Sequence, residues 1–222
     1  MNIKMFYRVL SIASLTVLFV LLMACGSKDN KLYKSGKIWN YEAEYRNADS
    51  LFNYEIQMIP GGSFLFQQKI KWLVIVPDSL RTEGFLFRSD ATTGFIENEE
   101  KIWLHPPRTH RFKYITQLAP YPQVQFPLVL GDTIKGSINM VGNWGAWNGK
   151  STSYELVLTS KEYSAIYQDS LWVLQGRGVL EQDTATVTHR FSETKGFVES
   201  LYENNRGVYF YMKLKEVEEM DE

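Results

Sequence analysis

The chain has 222 residues, with 24 Lys and Arg against 25 Asp and Glu, a formal charge of −1 and 14% aromatic residues. Charge spread this evenly leaves no basic stripe to collect phosphates, which excludes nucleic acid as a partner. The aromatic content is too high for a disordered stalk, and a single cysteine excludes a disulfide framework.

The first residues divide into three zones. Lys4 and Arg8 precede an apolar run, Val9–Met23, broken only by Ser11, Ser14 and Thr16, and no acid occurs before Asp29. A charged start, a short apolar run and small residues at its end make a secretory signal. The run is 15 residues long, short of the ~20 a helix needs to cross a bilayer. Leu22-Met23-Ala24-Cys25 resembles the lipobox of bacterial lipoproteins. That resemblance implies cleavage between Ala24 and Cys25 and acylation of the Cys25 thiol. An ordinary signal peptide with an incidental cysteine is the alternative; it is disfavoured because exported chains seldom leave a thiol unpaired. Cleavage removes Lys4 and Arg8 and takes the net charge from −1 to −3. The expected division is a signal peptide over 1–24, a lipidated cysteine and polar tether over 25–36, one domain over 37–215, and an acidic solvated tail over 216–222.

From Ile38 onward, apolar residues alternate instead of recurring at helical spacing. Ile38–Tyr45 and Leu51–Ile59 read as strands. Phe64, Phe66, Ile70, Trp72, Val74 and Val76 share one parity, so Pro60-Gly61-Gly62 predicts a hairpin turn before them. Gly84–Arg88 and Gly94–Leu104 form the next pair. After the middle of the chain, Tyr154–Thr159, Leu171–Gln175 and Thr186–Phe191 are strand-like, with Gly176-Arg177-Gly178 as punctuation between the last two. Gly196–Tyr202 and Val208–Leu214 form a closing hairpin. Only Ser160–Gln168 offers a short helix, and it reads equally as strand. The fold class expected is all-β: an antiparallel β-sandwich or partly open barrel with at most one or two short helices.

His105–Trp147 differs. It holds five of the seven prolines, Pro106, Pro107, Pro120, Pro122 and Pro127, which cannot donate to a central ladder. Edge strand, crossover or loop is expected there, and a working surface with it. Trp144 and Trp147 among glycines are candidate ligand-binding residues, with Tyr121 and Phe126 as additions; Asn143 and Asn148 would supply polar partners for a sugar. Indoles folded over the end of the sheet are the competing and favoured reading, because a large aromatic packs more often than it binds.

No residue is assigned a catalytic role. There is no Gly-x-Ser-x-Gly elbow and no phosphate-cradling glycine motif, and Glu97, Glu99 and Glu100 read as solvated charge. His105 and His110 fall on opposite sides of an extended chain and His189 is distant, so surface or rim histidines are expected and no metal or cofactor is.

Five of the eight Asp are followed by Ser or Thr and then an aliphatic residue. The hydroxyls are Ser50, Ser79, Thr133, Ser170 and Thr184. Asp before Ser or Thr makes a side-chain-to-backbone turn ahead of a strand. The triplet also resembles the O-glycosylation site of exported Bacteroidota proteins, which implies a sugar on each hydroxyl. His105–Arg108 (HPPR), Ala119–Pro122 (APYP) and Phe191–Tyr202 resemble segments of Bacteroidota envelope lipoproteins of no assigned activity. Ser27-Lys28-Asp29 resembles a surface-export signal of that phylum but lacks its run of acids.

The expectation is therefore a lipoprotein held to a membrane through Cys25, at the outer membrane facing the periplasm, with surface exposure as the alternative. Its expected role is non-enzymatic: a binding or accessory module, with a lipid-carrier-like half barrel for an apolar ligand leading. The alternatives are a structural subunit with envelope protein partners, or a glycan-binding or glycan-hydrolysing lipoprotein using the Trp144/Trp147 loop.

Overall fold

The structure is a computed structural model, and it describes residues 31–64, 67–75, 88–108, 111–142 and 144–220. Ala24, Cys25, Ser79, His110 and Asn143 lie outside the described residues. The fold is one antiparallel sheet of twelve strands. These are β1 (Lys37–Asn47), β2 (Ser50–Phe64), β3 (Gln67–Ile75), β4 (Arg88–Glu97), β5 (Lys101–Leu104) and β6 (Gln123–Gln125), then β7 (Thr133–Asn139), β8 (Ser151–Ser164), β9 (Asp169–Leu180), β10 (Asp183–Ser192), β11 (Gly196–Asn204) and β12 (Tyr209–Glu219). Their spatial order is β6-β5-β4-β3-β2-β1-β12-β11-β10-β9-β8-β7, so two meanders are joined where β1 pairs with β12.

That order dictates curvature. Twelve strands ~4.8 Å apart would span roughly 50 Å if flat, yet β6 at one edge connects to β7 at the other through only 126–132. Those residues reach under ~30 Å even when extended. The sheet curls into a half barrel, and the partly open barrel is the form adopted of the two expected.

Period-two patterning decides which face turns inward. Trp39, Tyr41, Ala43 and Tyr45 of β1, Tyr54, Ile56 and Met58 of β2, and Ile70, Trp72 and Val74 of β3 are all buried. Phe210, Met212 and Leu214 of β12 continue that face. Lys71, Glu42 and Lys213 alternate outward and pair across the surface or meet solvent.

The inner face is not an empty trough. Residues 105–108 and 111–124 fold back into it and carry a short helix, α1 (Lys113–Leu118). Phe112 stacks on Phe210 at 4.3 Å between ring centroids, and Ile115, Leu118, Ala119 and Val124 join the core. α1 has neither a side-chain cap nor an acid in its first turn, and six residues fall short of what is helical in isolation. Burial holds it, each large apolar side chain contributing ~1.5–3 kcal/mol.

Several expectations are corrected. The Pro-rich stretch expected as edge strand, crossover or loop is all three, with β6 and β7 at the edges of the sheet and every proline outside the ladder; what the expectation lacked is that part of it forms this buried plug. Of the two equal readings of Ser160–Gln168, the strand is the one adopted, with β8 running to Ser164. Gly176 and Gly178 do not punctuate the chain but lie inside β9. A Cβ on Gly178 would sit 1.8 Å from the Leu118 carbonyl oxygen, and one on Gly176 would be 2.9 Å from Pro120 Cγ. The two glycines leave a shallow trench in which the backbone of the plug rests. Pro60-Gly61-Gly62 is a bulge within the β2–β3 hairpin, since Pro60 pairs with Ile70 and Ser63 with Gln68. At the ends, order extends past the expected domain limits. Tyr33 is buried and its hydroxyl accepts the Phe197 N–H at 2.7 Å, while β12 continues to Glu219 opposite Lys37. Glu97, expected as solvated charge, accepts the N–H groups of Leu32 at 2.5 Å and Tyr33 at 3.0 Å.

Candidate functional site

One end of the half barrel opens as a mouth of about 520 Å³. Its rim is built from strand ends: Tyr45 of β1, Asn204 at the end of β11 with the turn to Val208, Gln182 and the first residue of β10, Asp183, and Gly145–Lys150 between β7 and β8. Its floor is the exposed side of the plug, with Ile115 and Leu118. Here the curled sheet and the plug diverge, which leaves apolar surface below a polar edge.

Trp144 and Trp147 both line this mouth, in different roles. Trp144 is 8% exposed, and its Nε1 donates to the Val141 carbonyl at 3.2 Å. Trp147 is half-buried and donates from Nε1 to Asp183 Oδ2 at 3.1 Å. Tyr114 stands nearly perpendicular to both, 5.9 Å from Trp144 and 5.4 Å from Trp147. Trp144 thus packs over the plug, and Trp147 forms a wall of the mouth.

The charges around the rim are mostly paired. Asp183 takes Trp147 on one oxygen and Arg206 on the other, and Lys150 pairs with Glu181 at 2.9 Å. Arg111 differs: its guanidinium lies 4.3 Å from the Phe52 ring centroid, and among the described residues it has no carboxylate partner. Burial raises the Tyr45 hydroxyl above its ordinary pKa, with Arg111 acting against the shift. The mouth therefore offers an apolar floor, an indole wall and a cation, Arg111, with no carboxylate partner among the described residues.

The other two candidate residues are elsewhere. Tyr121 lines a second cleft, between the two edges of the sheet. Phe126 packs on Phe191 at 6.4 Å and is partly buried against the core. Asp183, Arg206, Arg111 and Tyr114 had no signal in the sequence as site residues, because strands far apart in the chain bring them together.

Of the histidines expected at the surface or rim, the two among the described residues, His105 and His189, are buried. His189 is 0% exposed on β10; its Nε2–H donates to the Pro120 carbonyl at 3.2 Å, and its Nδ1 accepts the Ser200 hydroxyl at 2.8 Å. Both partners suit a neutral ring, and burial holds its pKa down at about 4. His105 is 6% exposed, with Nδ1–H donating to the Pro106 carbonyl at 2.7 Å. Burial and Arg108 push its pKa down to about 3. Among the described residues, no group of three His, Cys, Asp or Glu could hold a metal, and no helix is long and apolar enough to cross a membrane.

The four Asp-Ser/Thr hydroxyls among the described residues mark strand starts. Ser50 and Thr133 open β2 and β7, and Ser170 and Thr184 are second in β9 and β10. The Asp169 carboxylate accepts the Ser170 N–H at 2.7 Å, the local turn expected of the motif. It also accepts the Ser192 and Thr194 hydroxyls at 2.6 and 2.9 Å, and the Ser192 bond holds its pKa below the usual carboxylate value.

No protein-family model and no curated protein matches the chain. Among solved structures, it is similar to a Bacteroides fragilis protein described as exported and of YmcC-like fold, with 9% identity, TM-score 0.45, and 84% of this chain and 97% of that one covered. It is also similar to a Parabacteroides distasonis protein described as a lipoprotein, with 10% identity, TM-score 0.43 and coverage of 85% and 98%. A third is the hypothetical lipoprotein YmcC of Escherichia coli, with 10% identity, TM-score 0.33 and coverage of 91% and 97%.

Proposed function

We propose that this protein is a membrane-anchored envelope lipoprotein whose half barrel binds, without catalysis, a single-chain anionic amphiphile in the mouth beside Trp147. The observation that carries the reading is the layering of the mouth. Ile115, Leu118 and Val208 supply an apolar interior, and Arg111 stands at the edge with no carboxylate partner among the described residues. An acyl chain would cover the interior and an acidic head would reach Arg111. At about 520 Å³, the mouth falls in the size range of small-molecule sites.

The anchor geometry supports the same role. Leu32 and Tyr33 are fixed at the end of the sheet where β11 begins, and the mouth lies where β11 ends. Nine residues of strand separate the two by roughly 25–30 Å. From Cys25 to Leu32 the chain reaches at most ~25 Å, so a lipid on Cys25 holds the Tyr33 end near the membrane.

A version beginning at Gly26 keeps every described element and suits the test. Titrated with a fluorescent long-chain fatty acid, it is expected to bind one equivalent and to quench indole emission. Arg111→Ala should weaken binding by about fivefold, as removal of a partly exposed ion pair does. Failure of the fatty acid to bind, or equal binding of the uncharged alcohol of the same length, overturns the reading.

The modification pattern is a separate proposal, and peptide mass spectrometry of the chain isolated from its own membranes checks it. Acyl chains are expected on Cys25 and a glycan on Thr133, whose side chain is exposed at the start of β7. An unmodified Thr133 peptide ends the glycosylation proposal, and a free Cys25 thiol ends the anchor.

A further inference from the structure

The second cleft, about 560 Å³, lies in the seam where the two edges of the sheet approach each other. Thr92–Gly94 of β4 and Trp103 of β5 form one side, and Ser137–Asn139 of β7 and Tyr154 of β8 form the other; His105, Arg108 and Tyr121 come from the plug. It shares no lining residue with the mouth, although the Arg108 guanidinium lies 5.8 Å from the ring centroid of Trp144, which lines the mouth.

Its lining includes Lys69 and Arg108 and no Asp or Glu. Arg108 is held in place: Nε donates to Gln117 Oε1 at 3.2 Å, and Nη2 lies 3.5 Å from the Tyr121 hydroxyl. Gln117 is itself fully buried. Among the described residues Arg108 has no carboxylate partner. Trp103 is half-buried with its ring 5.6 Å from Tyr121, which in turn lies 4.5 Å from His105.

Buried polar atoms without partners concentrate here. Among the described residues they are Gln68 Oε1, His105 Nε2, Gln117 Nε2 and Thr152 Oγ1. Gln68 and His105 line the cleft, Gln117 orients its arginine, and Thr152 pairs across the ladder with Ile138, another lining residue. Each such group costs ~1–3 kcal/mol when unsatisfied, and a cluster of them signals a missing polar occupant. The chemistry of that occupant follows from which groups are left over. With its Nδ1–H given to Pro106, His105 has only an acceptor at Nε2, and Gln68 Oε1 is an acceptor too. A bare anion has no hydrogen to give them, whereas an apolar ligand would strand Arg108. A ligand with both a carboxylate and hydroxyls satisfies the arginine and the acceptors together, and a sugar ring packs on an indole such as Trp103.

We infer that the seam cleft is a binding site for an acidic saccharide, with the uronate carboxylate on Arg108 and the sugar ring against Trp103. The full-length chain in neutral detergent is titrated calorimetrically with a galacturonate trisaccharide, the neutral trisaccharide maltotriose, and inorganic phosphate. The uronate is expected to bind at least about tenfold more tightly than either control, the worth of one charge-assisted pair. Arg108→Ala should cost about tenfold or more, Trp103→Ala should weaken binding with the melting temperature little changed, and Trp147→Ala should leave it intact. Should Arg108→Ala fold poorly, Arg108→Lys keeps the charge without the fork and should fall between wild type and no binding. No heat with the uronate overturns the inference. So does phosphate binding as tightly as the uronate, maltotriose doing so, or an unchanged affinity in the Arg108 and Trp103 variants. Fatty-acid binding at the mouth, measured in parallel, reports on the other site alone.

Discussion

Gly178→Ala is expected to lower the melting temperature by about 10 °C. A Cβ at Gly178 would stand 1.8 Å from the Leu118 carbonyl oxygen and 3.2 Å from Thr152 Cγ2. The first contact is with backbone, so no rotamer change relieves it. Either β9 or the plug must move by more than 1 Å, and the plug is the more weakly held of the two. Lifting it loosens Leu118 and Ile115 from the core and stretches the bond from His189 to the Pro120 carbonyl. Overpacking and the lost burial together put the cost near 4 kcal/mol, and a domain of this size loses ~2–4 °C per kcal/mol. Gly61→Ala is the control: nothing lies within 4 Å of its Cβ position, and the change should stay within about 0.5 kcal/mol. Thermal denaturation followed by near-ultraviolet circular dichroism measures both. Equal melting temperatures for the two variants would mean that the plug does not rest in the glycine trench.

The second large effect is a loss of stability in mild acid. His189 is neutral in the folded state with a pKa of about 4, and His105 with one of about 3. In the unfolded chain both titrate near the ordinary value of 6.5. Between these limits the unfolded state binds protons that the folded state refuses, so stability falls as pH decreases. The loss begins below about 6.5 and is complete near pH 4 for His189 and near pH 3 for His105. For His189 alone it amounts to roughly 3 kcal/mol. Asp169, held low by the hydrogen bond from Ser192, adds its own loss only at more acidic pH. Melting temperatures should be level near neutrality and decline steadily toward pH 4. His189→Asn should start lower at neutral pH, because its bonds to Ser200 and Pro120 are altered, and should lose part of the acid slope. An undiminished slope in that variant would place the acid sensitivity elsewhere.

These two predictions rest on positions that the sequence misleads about, for related reasons. Gly176-Arg177-Gly178 has the composition of a turn, and only the arrival of Leu118–Pro120 from over fifty residues earlier explains glycine inside a strand. His189 alternates correctly for an inward position, but an inward histidine is unremarkable until its partners are known, and Pro120 and Ser200 are supplied by the plug and by β11. α1 was illegible for the same reason. Lys113–Leu118 has no cap and no apolar period long enough to register, and it is helical because Phe112, Ile115 and Leu118 have a concave apolar surface to cover. The candidate site shows the same division. Trp144 and Trp147 were visible as unusual residues in a region rich in turns. Whether each packs or lines a mouth depended on Tyr114 from the plug and Asp183 from β10. Tyr121, grouped with them by nearness in sequence, went to the seam instead.

By itself the sequence determined the strand-rich body, the parity of nearly every inward-facing position, and the resemblance of Leu22–Cys25 to a lipobox. Period-two alternation is a local property, written in consecutive side chains. Tertiary structure alone decided that the twelve strands form one sheet and that the short connection between its edges curls it. It also decided that residues 105–108 and 111–124 fill the hollow and leave two clefts of different chemistry. Those outcomes depend on pairings between residues far apart in the chain, and the energy that selects them exists only once both partners are buried together.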